Sequence, residues 1–512
     1  MTDLAHGSAQ VLAQGLVQTV DWAAVAPPLI TAVVALVVLV ADLFLGEARK
    51  VWLGRIAVGG LALAGLSLLP LTAGDRATFC LTGTTAHGCS YVADHFTLVV
   101  QLLVLGAALV TALMSAHLAD RMPAGEFWFL LLSSAAGAAL LPASRDLATL
   151  VVALEVVSLP SFALVGLERG DRLAGEAALK FFLSSVTATA VMLLGVSFVY
   201  AATGSMHLNA VAAGLGHVPG QLGTLAKAGV ALTLVGFAFK LAVAPFHFWV
   251  PDTYAGAPLP VAAYLSVVGK AAGFSGLVLV TVIAFRPYAH VWGPALAVLA
   301  ALTMTVGNVA ALRQRASHPR SAVRLLAWSS VGQAGYLLVP LAAAGYVADP
   351  RRQIGATVAY ALMYAVVNLG AFAVAALVTR SRALGRISDY RGLYARRPLA
   401  ALALAFFLLC LAGLPPGVIG LFAKVVVFAS AVDAGLGWLA VVMAVNVVVA
   451  LYYYLRWTAA LFARPEEAGP AEKPAGAVPV SLAAAIAVAA VAGVGLSGAP
   501  QLVLRFAASS LF

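Results

Sequence analysis

Runs of roughly 20 predominantly apolar residues, each long enough to cross a bilayer as a helix, recur fourteen times along this chain. They fall near 27–46, 52–72, 95–117, 127–143, 147–167, 176–202, 227–250, 258–285, 291–312, 322–346, 354–379, 398–432, 435–463 and 477–498. In lipid a spanning segment must satisfy its own backbone polar groups, so these runs are expected to be helices. Little is left over for a soluble domain. Only 10% of the 512 residues are charged and 62% are hydrophobic, whereas a soluble surface draws on roughly 25% charged residues. That excludes a soluble enzyme, a nucleic-acid binder, a disordered chain and a collagen-like chain. The N-terminal Met1–Gln10 stretch has no basic segment, so the first apolar run is expected to be a permanent span and not a removable signal.

The net charge of +10 is explained by where the basic residues lie. With both termini outside, 18 of the 30 Lys and Arg fall in inside loops and six in outside loops, the other six lying in or at the edges of spans. A threefold bias orients the chain by the positive-inside rule. The longest connections are 73–94 and 203–226 outside and 380–397 and 464–476 inside, the last reading as a polar linker. The predicted fold is an all-α polytopic membrane protein forming a single membrane domain. It has three N-terminal helices (27–117), a first five-helix repeat (127–285), a second (291–463) and a final helix (477–498).

Within the apolar runs, ionisable residues mark function by default, because a charge at a span centre costs at least ~2.5–3.5 kcal/mol. Glu155, Lys240, Lys270 and Lys424 sit near mid-span. Glu176 and Lys180 lie at i,i+4 spacing, where they can pair on one helix face. Snorkelling to the headgroups accounts for Lys227 and Arg456 near span ends, not for the four central residues. Two acids cannot neutralise four lysines. Desolvation disfavours the charged form of a buried amine, so an amine without a partner can lose and regain a proton, and the set reads as a proton relay. The carboxylates are too few and too scattered for a metal site. His247 stands beside the relay in P-F-H-F-W. His207, His217 and His318 are expected to be solvated loop residues.

Proline interrupts two spans, at Pro245 in the seventh and at Pro415 and Pro416 in the twelfth. It removes a backbone hydrogen bond, and broken backbone at membrane depth is tolerated only where protein or water covers it. Each break has a lysine nearby, Lys240 and Lys424. The broken spans are five apart, so equivalent helices of two five-span units would run in opposite directions, the pattern of inverted repeats with ion sites at discontinuous helices.

The stretch 236–274, G-F-A-F-K-L-A-V-A-P-F-H-F-W-V-P-D through V-V-G-K-A-A-G-F, resembles the signature of the antiporter-like membrane subunits of respiratory complex I. L-L-A-W-S-S-V-G-Q-A-G-Y (325–336) and L-A-G-L-P-P (411–416) are similar to further motifs of that family, and the likeness runs from about 95 to 463. Of its three paralogous groups the chain most resembles the subunit N group. V-N-V-V-V-A-L-Y-Y-Y-L-R (445–456) is similar to that group's pattern, with Ala450 in place of a serine, and the twelfth span carries Lys424 where subunit M has a glutamate. Only 14 residues follow Gly498, too few for the long lateral helix of subunit L.

The resemblance implies a proton-translocating subunit of an NADH:quinone oxidoreductase in a bacterial plasma membrane. Glu155 and Lys240 would form a switchable ion pair, Lys270 and Lys424 would continue the path outward, and Glu176 and Lys180 would be a sixth-span pair. It also implies no cofactor in this chain, with flavin and iron–sulfur clusters in partner subunits and quinone bound elsewhere. Subunit M and small subunits such as K and J are the implied neighbours. The alternative is a subunit of a multi-chain cation/proton antiporter.

Cys80 and Cys89 share the outside loop 73–94, where oxidation can occur, and a disulfide between them is expected. Three cysteines in all exclude a larger disulfide framework.

Overall fold

The computed structural model describes residues 20–81, 88–116, 122–168, 170–464 and 477–503. Among them, thirteen helices are long and apolar enough to cross a membrane. The seventh of these, Gly220–Leu241, ends at the first break, and a short helix, Trp249–Gly256, follows. The predicted twelfth span, 398–432, is split into Pro398–Ala412 and Val418–Asp433. Counting that split pair as one crossing, every predicted span has its helix. The termini, together with Arg121, Arg169, Lys473 and Arg505 of the charge tally, lie outside the described residues.

Burial separates the spans into shells. The eighth (Leu259–Ala284), tenth (Ser321–Tyr346) and eleventh (Arg351–Thr379) are buried over about nine-tenths of their most apolar windows, whereas the first, Trp22–Phe44, is buried over a third. Their composition follows. The tenth and eleventh are the ones that bury Gln333, Tyr360, Tyr364 and Asn368, because polar side chains at membrane depth need protein partners. The first span instead exposes Leu36, Val40, Leu43 and Phe44 to the surroundings.

The 73–94 connection, read from sequence as a loop, contains an antiparallel hairpin of Arg76–Cys80 and Cys89–Ala93. Cys80 and Cys89 are disulfide-bonded across it. The hairpin is tied to the helix bundle by an Arg76–Asp21 ion pair at 3.1 Å, a buried Asp94–Arg145 ion pair and the bond from Arg145 N to the Ser90 carbonyl at 2.8 Å. His207, expected to be solvated, is half-buried, and its backbone bridges to Asp146. A short helix, Leu208–Leu215, follows it in the other long outside connection.

Candidate functional site

Both breaks are built alike. The helix before each ends on a left-handed residue, Ala242 (φ 65°) or Gly413 (φ 83°), and a proline follows three residues later, Pro245 or Pro416. The N–H one residue beyond turns back to the helix in each case, Val243 N to the Ala238 carbonyl and Leu414 N to the Leu409 carbonyl, both at 2.9 Å. This is the Schellman way of ending a helix. It suits Gly413, which has no Cβ, and is strained at Ala242.

The prolines then leave specific carbonyls without donors. In a continuous helix residue i donates to the carbonyl of residue i−4. Pro245 has no N–H for Leu241, Pro415 none for Leu411, and Pro416 none for Ala412. Lysine ammonium groups supply what is missing. Lys270 Nζ donates to the Leu241 carbonyl at 3.2 Å, and Lys424 Nζ donates to the Leu411 and Ala412 carbonyls at 2.8 and 2.7 Å. Lys270 and Lys424 are 3% and 4% exposed, so water does not substitute. A single turn of wider, π-type helix (Leu265–Gly269) runs directly into Lys270, a distortion frequent at functional sites. The first break is thus capped from the next span and the second from the far half of its own span. Sequence spacing did not distinguish these two arrangements.

Lys240 is the buried amine that caps no break. Its Nζ donates to Ser185 Oγ at 2.9 Å and lies 5.4–5.7 Å from the ring centres of Phe162, Phe181 and Phe239. Ring faces attract a cation there. The direct Glu155–Lys240 ion pair that the resemblance implies is not made. Glu155 is half-buried and accepts from Thr189 Oγ1 at 2.7 Å. Ser185 and Thr189 are four apart on the sixth span, Arg172–Thr203, hence on one face. Two hydroxyls therefore stand between the acid and the amine, and a hydroxyl can both donate and accept.

Glu176 and Lys180 do pair, at 2.8 Å, and the pair extends further than the sequence suggested. Lys180 also meets Asp252 at 2.9 Å, and Asp252 meets Arg324 at 3.1 Å. These four side chains are between 38% and 51% exposed and line a cavity of about 640 Å³ with Arg313, Arg320 and His318. His247 stacks obliquely with Trp328 at 5.6 Å, and no hydrogen bond among the described residues joins it to the lysines.

The buried polarity extends beyond the ionisable residues singled out from the sequence. The eighth span enters a network through Ser266. Asn368 Nδ2 donates to Ser266 Oγ at 2.6 Å, and Tyr364 Oη donates to the Ser266 carbonyl at 3.2 Å while its oxygen lies 2.9 Å from Ser330 Oγ, whose hydroxyl can donate to it. One turn along the tenth span from Ser330, Gln333 accepts from Tyr360 and donates to Tyr454 Oη at 3.2 Å. The Tyr360 ring lies 6.0 Å from that of Tyr336, which in turn lies 5.6 Å from Lys424 Nζ. Neighbouring side chains thus lead from the turn before Lys270 to Lys424. Tyrosines and amides escape a search for charge, and their partners lie as far apart as Gln333 and Tyr454.

Two broken helices with lysine-capped ends, on either side of a buried polar tract, define an antiporter-like membrane subunit. Residues 144–450 match the family described as NADH:quinone oxidoreductase/Mrp antiporter, TM. NADH-quinone oxidoreductase subunit N 2 of Streptomyces griseus subsp. griseus is 71% identical over 511 residues, 98% of this chain and 96% of that one. Subunit N of Salinispora tropica is 46% identical over 87% of this chain and 86% of its own. A chain of respiratory complex I from Thermus thermophilus with bound aureothin superposes with a TM-score of 0.74 at 35% identity, covering 94% of this chain and 98% of that chain. The Mrp complex of Dietzia sp. DQ12-45-1b shares the fold at 22% identity, with a TM-score of 0.79 over 94% of this chain and 96% of that one. The chain belongs to the subunit N family of NADH-quinone oxidoreductases, and it is a multi-pass membrane protein.

Proposed function

We propose that this chain carries protons across the membrane as part of an NADH:quinone oxidoreductase. Glu155, Lys240, Lys270 and Lys424 exchange the protons, and Ser185, Thr189 and the tyrosine–amide tract join them. The observation that carries the reading is the pair of lysine-capped breaks. A lysine held on main-chain carbonyls is fixed in place, and its amine can trade one hydrogen-bond partner for another as the proton moves. Glu176, Lys180, Asp252 and Arg324 form a charged mouth on the side the arginine bias assigns to the cytoplasm. The chain itself does no redox chemistry and binds no cofactor; flavin, iron–sulfur clusters and quinone belong to partner subunits.

Glu155 supports an assembly. A half-buried carboxylate at mid-span is costly against lipid, and a neighbouring subunit over the fifth and sixth spans would cover it. Subunit M and the small subunits K and J are the neighbours we assign. The membrane is the bacterial plasma membrane, with both termini outside.

The test is the Lys240→Ala variant in the assembled complex, reconstituted in proteoliposomes. Both NADH-driven acidification and quinone reduction should fall well below wild type. Normal assembly with wild-type pumping would end this reading. Co-purification with cation/proton antiporter subunits, in place of flavin-bearing ones, would instead establish the alternative.

A further inference from the structure

The ninth and thirteenth spans, Ala289–Leu312 and Gly437–Phe462, lie side by side. Asn446 joins them, accepting from Asn308 at 3.0 Å and donating to Thr305 Oγ1 at 3.2 Å. Each span turns a stripe of aliphatic side chains outward. On the ninth, Val298, Leu302 and Leu312 are exposed, and on the thirteenth, Val441, Val445, Val448 and Tyr452. Steps of four, three and four residues continue the second stripe to Arg456, Ala459 and Ala463, the spacing of one helix face.

Those last three residues line a cavity of about 730 Å³ at the helix ends, together with Arg313, Arg315, Arg391 and Ser388. Four guanidinium groups face it, and no carboxylate of the described residues lines it. Arg391 Nε donates to the Arg464 carbonyl at 3.1 Å. The side chains of Arg313, Arg315 and Arg456 make no hydrogen bond or ion pair among the described residues. Guanidinium groups gathered together repel one another, and their planar donor forks match phosphate oxygens. The cavity lies where both helices end, at Leu312 and Phe462, which is where hydrocarbon gives way to water.

We propose that this cavity and the adjoining stripes form a binding site for an anionic phospholipid, with its phosphate among Arg313, Arg315 and Arg456 and its acyl chains along the ninth and thirteenth spans. A free phosphate would use the arginines and leave the stripes unused. The continuity of stripe and cavity, through Tyr452 and Arg456 one turn apart, calls for an amphiphile. Basic residues next to a membrane each favour an anionic surface by about fivefold in binding.

Photolabelling of the assembled complex in phosphatidylcholine nanodiscs tests this. Discs carry a trace of diazirine-bearing phosphatidylglycerol or, separately, diazirine-bearing phosphatidylcholine, and labelled peptides are mapped by mass spectrometry. The anionic probe should label peptides from 298–315 and 441–463 several-fold more than the zwitterionic one. Arg313→Gln with Arg456→Gln should bring that preference down to near parity, with labelling of the exposed first span unchanged. Equal labelling by the two probes, or a preference that survives the double variant, would overturn the proposal. So would loss of labelling to inorganic phosphate at matched ionic strength, which identifies free phosphate as the occupant. Protection of these peptides from both probes in the complex, with labelling in the dispersed subunit, would place a protein there instead. If the glutamine variant does not assemble, the wild-type comparison of the two probes decides alone, and Arg313→Lys with Arg456→Lys should keep the preference.

Discussion

Lys424 is assigned two tasks, and two substitutions separate them. The Leu411 and Ala412 carbonyls take their donors from Lys424 Nζ, at 2.8 and 2.7 Å, because Pro415 and Pro416 have none to give. A buried carbonyl left without a donor costs about 1–3 kcal/mol, so Lys424→Met should cost about 2–6 kcal/mol locally. Part of that is offset because methionine no longer buries a polar head. Lys424→Arg keeps donors on the same carbonyls but cannot release a proton. Its greater bulk beside Tyr336 costs about 1–3 kcal/mol at most. Heating the assembled complex and following aggregation of this subunit reads the first task, and NADH-driven acidification of proteoliposomes reads the second. Lys424→Met should lose heat resistance and pumping, and Lys424→Arg should retain most of the first and lose the second. A methionine variant as heat-resistant as wild type would refute the capping argument. An arginine variant that pumps normally would refute proton exchange at this position.

Gly420→Ala should wedge the two halves of the twelfth span apart, since a Cβ there would stand 1.9 Å from the Cys410 carbonyl oxygen. Assembly yield on a native gel should drop more than for Gly437→Ala, where a Cβ meets nothing. Tyr360→Phe removes the donor to Gln333 and should slow pumping while leaving assembly intact; an unchanged pumping rate would take the tract out of the path. Cys80→Ser should leave the hairpin easier to open by roughly 2–3 kcal/mol on the loop-closure account, read as faster proteolysis between the two strands, whereas an unaltered rate would show the disulfide to be dispensable.

The spans were legible because hydropathy over 20 residues is a strong signal, and the breaks because proline has one backbone consequence. The chemistry at the breaks was half legible. Lys240, Lys270 and Lys424 announced themselves as misplaced charges, but the carbonyls they serve depend on how distant spans pack. Lys270 reaches back 29 residues to Leu241. The Glu155–Lys240 pair was implied by the resemblance, and the structure instead interposes Ser185 and Thr189, which carry no charge to notice. Asp252 and Arg324 were not singled out from the sequence, although they extend the Glu176–Lys180 pair into a network. The hairpin at Arg76–Cys80 and Cys89–Ala93 was missed because five-residue strands are too short to show their alternation.

The most direct test of the account is the number of protons delivered per NADH oxidised by a reconstituted complex carrying Lys270→Met, measured with a calibrated interior pH dye alongside NADH absorbance. A relay that runs through Lys270 predicts a lower ratio, or the loss of turnover together with pumping, in a complex that assembles normally. A wild-type ratio at wild-type turnover would contradict it.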